Sequence, residues 1–127
     1  MATIELNETT FGEIVTSPGI VFVDLWAEWC GPCRMFGPIF EEASNKNEDI
    51  IFAKVDTEKE QQLSAMLGIT SIPTLLAFRD GIMLYNRAGA LPAANFDELI
   101  GAVRAVNMDE VRAEIAKGPA GDEEGNA

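Results

Sequence analysis

Apolar periodicity divides the first half of the chain into strands and helices. The nearly continuous apolar run Ile20–Ala27 predicts a central strand that is covered on both faces. After it, apolar residues recur at the i, i+3, i+4, i+7 spacing of one helical face, at Phe36, Ile39, Phe40 and Ala43. They predict a helix from about Cys33 to about Asn47, kinked at Pro38. Ile50–Asp56 is again extended, and we expect it to lie parallel to the first strand after a right-handed crossover.

Shorter patterns flank this unit. Thr3–Leu6 predicts an edge strand, and Thr10–Glu13 has the form of a capping box at the start of a helix. That helix would bury Phe11, Ile14 and Val15. Further along, Lys59–Leu67 predicts a helix with Gly68 as its C-terminal stop. Its buried face would carry Leu63, Met66 and Leu67.

The second half of the chain predicts a hairpin and a closing helix. Thr74–Phe78 and Ile82–Arg87 flank Asp80-Gly81, a strong hairpin signal. Ala93–Val106 predicts a helix whose buried residues are Phe96, Leu99, Ile100 and Val103. These elements predict a three-layer α/β fold. Its mixed central sheet combines a parallel βαβ half with an antiparallel hairpin, and helices cover both faces.

The pattern predicts one domain over residues 1–107 and a C-terminal extension over residues 108–127. In the extension, Met108, Val111 and Ile115 fall on one helical face and predict a short helix over Asp109–Lys117. Gly118-Pro119 should end that helix, and the acidic remainder is predicted to be disordered.

Composition narrows the functional classes. The chain of 127 residues has a net charge of −12, which argues against binding nucleic acid or anionic membranes. The N-terminus lacks the pattern of a signal peptide, and no apolar run approaches the ~20 residues of a membrane-spanning helix. The absence of histidine excludes His-based catalysis, and a four-ligand zinc site would need a second chain. Two cysteines spaced as a redox pair favour a reducing compartment, so we expect a cytoplasmic protein.

The candidate chemistry lies at Cys30 and Cys33, where the central strand meets the following helix. Cys30 would lie at the helix N-terminus, where free N–H groups and the helix dipole stabilise a thiolate. A purely structural disulfide is one alternative, but so short a loop removes little entropy from the unfolded chain. Half of a metal site is another, but the chain has no further Cys or His. The spacing and position favour a reversible dithiol.

The residues around this pair closely resemble those of the thioredoxin family. The resemblance is carried by Val23–Cys33 with Pro38, and by Lys54, Ile72-Pro73-Thr74 and Gly89-Ala90, and it covers roughly residues 3–106. It implies the thioredoxin fold and a protein-disulfide reductase. Cys30, the more exposed cysteine in such motifs, would attack a substrate disulfide, and Cys33 would resolve the mixed disulfide. Gly31-Pro32 between them is typical of the reducing members.

Asp24 is the most informative single residue, because alternation places it beside Phe22 and Trp26 in an otherwise apolar strand. A buried lone carboxylate costs several kcal/mol unless it is paired or protonated. Asp24 could be a structural carboxylate that is hydrogen-bonded to nearby backbone. It could also be a base of raised pKa that takes the proton of Cys33, the role that the resemblance implies. Lys54 would then be its neighbour, or else a solvated edge lysine.

The resemblance also implies a docking surface for substrates and a reductase partner. Ile72-Pro73 is an ordinary turn or, as in the family, a cis peptide that presents the backbone of Ile72 to an extended substrate segment. The docking surface would comprise Trp29, Gly31, Pro32, Ile72, Pro73, Gly89 and Ala90. With no Gly-rich nucleotide-binding motif, the chain itself should bind no cofactor. Electrons would come from NADPH through a flavin-containing thioredoxin reductase, and the protein would act as a monomer. A competing hypothesis is a binding or assembly subunit with the same fold, in which turnover of the dithiol is incidental.

Overall fold

The computed structural model describes residues 3–118 as a five-stranded sheet with helices on both faces. The elements in chain order are β1 (Thr3–Glu5), α1 (Glu8–Val15), β2 (Ile20–Trp26), α2 (Gly31–Lys46), β3 (Ile51–Asp56), α3 (Gln61–Met66), β4 (Thr74–Arg79), β5 (Ile82–Ala88), α4 (Ala93–Ala105) and α5 (Met108–Ala116). Within these residues, no helix is both long and apolar enough to cross a membrane.

The strand order is β1-β3-β2-β4-β5, with β2 in the centre and β1 at an edge. β3 pairs parallel with both β1 and β2, whereas β4 pairs antiparallel with both β2 and β5. Asp80 and Gly81 connect β4 to β5 with φ angles of 52° and 83°, the left-handed values that this kind of tight hairpin turn requires. The predicted mixed sheet and hairpin are therefore confirmed.

Each face of the sheet carries its own hydrophobic core, because successive side chains of a strand point to opposite faces. Helices α2 and α4 cover one face through a cluster of aromatic rings, Phe22, Phe36, Phe40, Phe52 and Phe96. Helices α1 and α3 cover the other, against Val21, Val23, Leu25, Val55 and Leu76. Asp24 shares the parity of Phe22, so its side chain belongs to the α2 face of a fully buried strand.

Two local predictions were wrong. The N-cap of α1 is Asn7, not Thr10: Asn7 Oδ1 accepts the N–H groups of Thr9 and Thr10 at 2.8 and 2.9 Å, and Thr10 Oγ1 accepts the Asn7 N–H at 3.0 Å.

Met66 was expected in the core but is 83% exposed. The helix around it is only one and a half turns long, so Leu63 alone of its large apolar side chains is buried there. The predicted stop at Gly68 is present, with φ of 69°.

The extra C-terminal helix is confirmed, one residue earlier than expected at each end. α5 is capped by Asn107 Oδ1, which accepts the Glu110 N–H at 3.1 Å, and it buries Met108 while leaving Ile115 exposed. An ion pair of 3.2 Å between Arg112 and Asp80 joins α5 to the hairpin turn. The division into a domain over 1–107 and an extension over 108–127 stays a prediction, and the predicted disordered tail lies outside the described residues.

Candidate active site

Cys30 and Cys33 form a disulfide at the start of α2, with their Cα atoms 5.2 Å apart. Cys30 is the N-cap, with extended backbone, and its Sγ accepts the N–H of Cys33 at 3.2 Å. Gly31 and Pro32 form the start of the helix, where the missing N–H of proline costs nothing and its fixed φ suits the first turn. One sulfur is thus held against the free N–H groups of a helix N-terminus, an arrangement that stabilises a thiolate.

Both cysteines are nearly enclosed in this disulfide form. Cys30 is 4% exposed and Cys33 is 5% exposed, and they pack in one cluster with Ala27, Trp26 and Ile72. The expectation of a more exposed first cysteine is therefore wrong here. Cys30 is covered because its Sγ lies 3.7 Å from the carbonyl oxygen of Ile72, on the loop before β4.

That loop contains a cis peptide bond between Ile72 and Pro73, so the cis alternative is confirmed and the ordinary turn is not. The Gly89 N–H donates to the Pro73 carbonyl oxygen at 2.8 Å, which holds Gly89 and Ala90 beside this loop. The remaining members of the predicted docking surface lie at the start of α2 and just before it. Gly31 and Pro32 are exposed, and Trp29 is 66% exposed.

No hydrogen bond offsets the burial of the Asp24 carboxyl group in the described part of the chain. Its side chain is 1% exposed, and neither carboxylate oxygen has a hydrogen-bond partner among residues 3–118. The alternative of a carboxylate hydrogen-bonded to nearby backbone is therefore not what the structure contains. Burial raises the pKa of Asp24 from 3.8 to about 7, against a smaller opposing effect of the Lys54 charge. A carboxyl group with such a pKa can take up or release a proton near neutral pH.

Lys54 lies directly beside Asp24 in the parallel register of β2 and β3. Its Nζ lies 4.9 Å from the centroid of the Trp26 ring, a cation–π arrangement that sequence reasoning did not anticipate. No carboxylate of the described residues lies within 4.0 Å of this ammonium group. Lys54 is therefore an electrostatic neighbour of Asp24 and not its direct ion-pair partner.

An open pocket of about 550 Å³ lies between the start of α2 and the ends of β2 and β3. Its lining includes Cys33, Lys54, Trp26 and Glu41, and it contains no residue of the docking surface. The Glu41 carboxylate accepts the Thr3 hydroxyl at 2.9 Å, which links α2 to the edge strand. The sequence did not indicate this pocket, because its wall is assembled from separate elements. No group of three or more side chains suited to a metal ion occurs within residues 3–118.

The fold and this cysteine site can be compared with known proteins. Residues 2–102 match the family model described as thioredoxin. The chain belongs to the thioredoxin family. It is 45% identical over 116 residues to putative thioredoxin 2 of Streptomyces coelicolor, covering 91% of this chain and 87% of that protein. It is 36% identical over 101 residues to the thioredoxin of Bacillus subtilis, covering 79% and 96%. A thioredoxin variant from Halobacterium salinarum superposes with a TM-score of 0.75 at 26% identity, covering 83% and 93%.

Family membership and the paired cysteines together establish the activity. The chain is a thiol-disulfide oxidoreductase of the thioredoxin type, with Cys30 and Cys33 as its redox-active pair. Thioredoxins act on disulfides of other proteins, so disulfide-bearing proteins are its class of substrate.

Proposed function

We propose that the two cysteines of this thioredoxin have separate roles in reducing protein disulfides. The observation that carries this is the position of Cys30 as N-cap of α2, with the N–H of Cys33 directed at its sulfur at 3.2 Å. Cys30 is the attacking thiolate, because hydrogen bonding and the helix dipole favour its charged form. Cys33 is the resolving cysteine.

The cycle has two exchange steps. The Cys30 thiolate attacks one sulfur of the substrate disulfide, the other substrate sulfur leaves as a thiolate, and a mixed disulfide forms. Cys33 then loses its proton and attacks the Cys30 sulfur. The second substrate thiolate leaves, and the Cys30–Cys33 disulfide remains in the protein.

Asp24 accepts the proton of Cys33 in the second step. Its burial and its pKa of about 7 support this role, because a base poised near neutral pH can both take the proton and give it up again. Lys54 lowers the pKa of Asp24 from the neighbouring strand and so limits the effect of burial. An uncompensated buried carboxylate also disfavours the competing hypothesis of a pure binding subunit, which has no use for its cost.

Substrate segments dock on the apolar surface that surrounds Cys30. The Ile72 carbonyl oxygen lies 3.7 Å from Cys30 Sγ, so a segment that pairs with the Ile72 backbone would bring its own cysteine to this sulfur. Trp29, Gly31, Pro32, Pro73, Gly89 and Ala90 complete the docking surface. A flavin-containing thioredoxin reductase then returns electrons from NADPH, while this chain binds no cofactor and acts as a monomer in the cytoplasm.

Substitution of each cysteine tests the division of roles. Cys30→Ser is expected to abolish insulin reduction with dithiothreitol, or with NADPH and reductase, and to capture no substrate. Cys33→Ser is expected to lose turnover but to accumulate mixed disulfides through Cys30, visible on non-reducing gels and by mass spectrometry. Equal trapping by both variants would contradict the separate roles. Wild-type protein that fails to reduce insulin would favour the binding subunit.

A further inference from the structure

The Lys54 ammonium group lies near Asp24 but does not pair with it. Lys54 and Asp24 are partners in the parallel register of β2 and β3, so their side chains leave the sheet on the same face. The four-carbon stem of a lysine is flexible. Even so, no carboxylate oxygen of the described residues lies within 4.0 Å of Lys54 Nζ. The position of this ammonium group therefore has a cause other than attraction to Asp24.

The Trp26 ring supplies a second attraction on the same face of the sheet. Trp26 follows Asp24 by two residues on β2, so the two side chains are neighbours along one face of the strand. Lys54 Nζ lies 4.9 Å from the centroid of the Trp26 ring, inside the roughly 6 Å limit of a cation–π contact. The ammonium group thus lies over the ring and not against the carboxyl group.

The Trp26 ring is itself held in place. The N–H and the hydroxyl of Thr57 both donate to the Trp26 carbonyl oxygen, at 2.9 and 3.0 Å, and fix the backbone at this end of β2. The Trp26 side chain packs against the cluster formed by Ala27, Cys30 and Cys33. One aromatic ring therefore contacts both the dithiol cluster and the ammonium group beside the proposed base.

We propose that Trp26 is a positioning residue, whose ring holds the Lys54 ammonium group near the Asp24 carboxyl group but outside ion-pair distance. At that distance the Lys54 charge lowers the pKa of Asp24 by less than burial raises it. A direct ion pair lowers the pKa of a carboxyl group by roughly 1 to 3. Such a pair would keep Asp24 ionised at neutral pH and make it a weaker acceptor for the proton of Cys33.

This inference rests on the proposed function only in naming Asp24 as the base, because the position of Lys54 can be measured without turnover. In the oxidised wild-type protein, the Lys54 side-chain protons nearest the ring should show an upfield ring-current shift by NMR. That shift should disappear in Trp26→Leu. Lys54 protons at the chemical shifts of a solvated lysine in the wild type would overturn the inference.

Other charged groups around Lys54 also affect a titration of Asp24. They come from β1, β3, α2 and the segment before α2, and they are Glu5, Asp56, Glu41, Glu28 and Arg34. All of them are present in every variant below, so their contributions cancel in the comparison. The oxidised form is used because disulfide-bonded cysteines do not titrate.

The decisive test measures the effect of Lys54 on Asp24 with and without the ring. The pKa of Asp24 is followed through its carboxyl carbon by NMR in wild type, Lys54→Met, Trp26→Leu and the double variant. Without the ring the ammonium group should pair with Asp24, so Lys54→Met should then raise this pKa by roughly 1 to 3, more than it does in the wild type. Loss of packing alone would admit water and weaken the coupling, which is the opposite result. An equal or smaller effect of Lys54→Met without the ring would overturn the inference, since Lys54 would then reach toward solvent unaided.

Trp26→Phe is the conservative control, because a phenylalanine ring still attracts a cation, although more weakly than tryptophan does. Lys54→Met should raise the pKa of Asp24 in this background by nearly the wild-type amount. A result in Trp26→Phe equal to that in Trp26→Leu would show that the aromatic ring is irrelevant and would overturn the inference.

Kinetics separate this inference from the proposed function. The pH profile for single-turnover resolution of a mixed disulfide should move to lower pH in Trp26→Leu and return in the double variant. If the pKa of Asp24 changes as expected while the rate profile does not follow it, the positioning role of Trp26 holds and Asp24 is not the base.

Discussion

Charged side chains have opposite environments near the two ends of the central strand β2. Beside its start, Asp49 in the loop before β3 accepts two hydrogen bonds from Arg104, at 2.6 and 3.0 Å, on the exposed surface. Near the other end, Asp24 is buried and neither oxygen has a hydrogen-bond partner among the described residues. The consequences for the carboxyl groups are opposite. Hydrogen bonding to Arg104 lowers the pKa of Asp49, whereas burial raises the pKa of Asp24 to about 7.

Two arginine side chains, Arg79 on β4 and Arg104 on α4, form hydrogen bonds near the start of β2. Arg79 Nη1 donates to the carbonyl oxygens of Val103, Arg104 and Val106 at 2.8 to 3.0 Å, which closes the C-terminus of α4. Carbonyl oxygens at a helix C-terminus lack the usual intrahelical donors. Val103 O accepts the Val106 N–H at a long 3.4 Å, and the Arg79 cation from β4 supplies the further hydrogen bonds. At the start of β2, the charged side chains are therefore paired or hydrogen-bonded, and they stabilise the fold. At the dithiol end, the Asp24 carboxyl group is buried without a hydrogen bond among the described residues, a cost in stability that the proposed role of Asp24 as a base would explain.

The largest expected effect comes from Asp24→Asn, which removes the uncompensated charge. The unfolded chain ionises Asp24 above a pKa of 3.8, while the folded protein retains the proton up to about 7. Its contribution to stability is therefore full below pH 3.8 and falls until pH 7, by roughly 4 kcal/mol at 1.36 kcal/mol per pKa unit. Asp24→Asn should lose this decline, which denaturant unfolding of the oxidised form from pH 4 to pH 8 would measure.

At pH 7 the variant should be more stable than wild type by roughly 2 kcal/mol, because an unsatisfied buried amide returns part of the gain. Asp97→Asn, at an exposed position on α4, is the control and should leave the profile unchanged. Resolution of a mixed disulfide in single turnover should slow by about a hundredfold, the range of general-base catalysis. Normal resolution kinetics would make Asp24 a structural residue and remove the proposed base.

Arg79→Met tests the compensated end and should have the next largest effect. The methionine side chain retains an apolar stem but removes the Arg79 hydrogen bonds to three carbonyl oxygens, so the free energy of unfolding should fall by about 2 kcal/mol. Insulin reduction should not change, because Arg79 lies at the opposite end of the sheet from Cys30. Arg87→Met, at an exposed position on β5, is the matched control. A loss of stability that is equal in both variants would contradict the closing role of Arg79.

The comparison also shows which parts of the molecule local sequence patterns could predict. Cys30, Cys33 and Asp24 were placed correctly, because a two-residue strand period and a strand-to-helix junction determine their positions over a few residues. The parallel βαβ half and the antiparallel hairpin followed from the crossover and hairpin rules, although the order of all five strands was not predicted. The predicted burial of Met66 was wrong because its helix is too short to form a repeating apolar face. The predicted N-cap of α1 was wrong because Asn7 and Thr10 are both capping residues within one turn.

Features built from distant segments could not be predicted in the same way. The bonds of Arg79 span 24 to 27 residues, and the contact of Lys54 with Trp26 depends on the register between two strands. The pocket beside the start of α2 also requires the packing of this helix against the edge of the sheet, through Glu41 and Thr3. None of these leaves a periodic pattern in the sequence.

Lys54→Met tests the same comparison by removing the charge that opposes the effect of burial on the pKa of Asp24. Since the Lys54 charge lowers the pKa of Asp24, its loss should raise that pKa above 7. The increase should be smaller than the effect of a close ion pair, because Lys54 is a neighbour of Asp24 and not its direct ion-pair partner. Titration of the Asp24 carboxyl carbon by NMR would measure the shift, and the decline in stability should extend to higher pH. Lys46→Met, at the end of α2, is the control. A downward shift in Lys54→Met would reverse the assigned sign.

The smallest effect on stability is expected from Asp49→Asn, although Asp49, unlike Asp24, accepts two hydrogen bonds from an arginine. Its folded pKa is lowered by Arg104, so its contribution to stability is present above the unfolded pKa of 3.8 and is lost as the pH falls through the folded value. The pair is exposed, with side chains 65% and 39% accessible, and water and salt compete for both partners. Denaturant midpoints at pH 7 should therefore coincide with wild type, and those at pH 3 should differ even less. A destabilisation comparable with that of Arg79→Met would mean that the compensated end depends on this surface pair and not on the capping of α4.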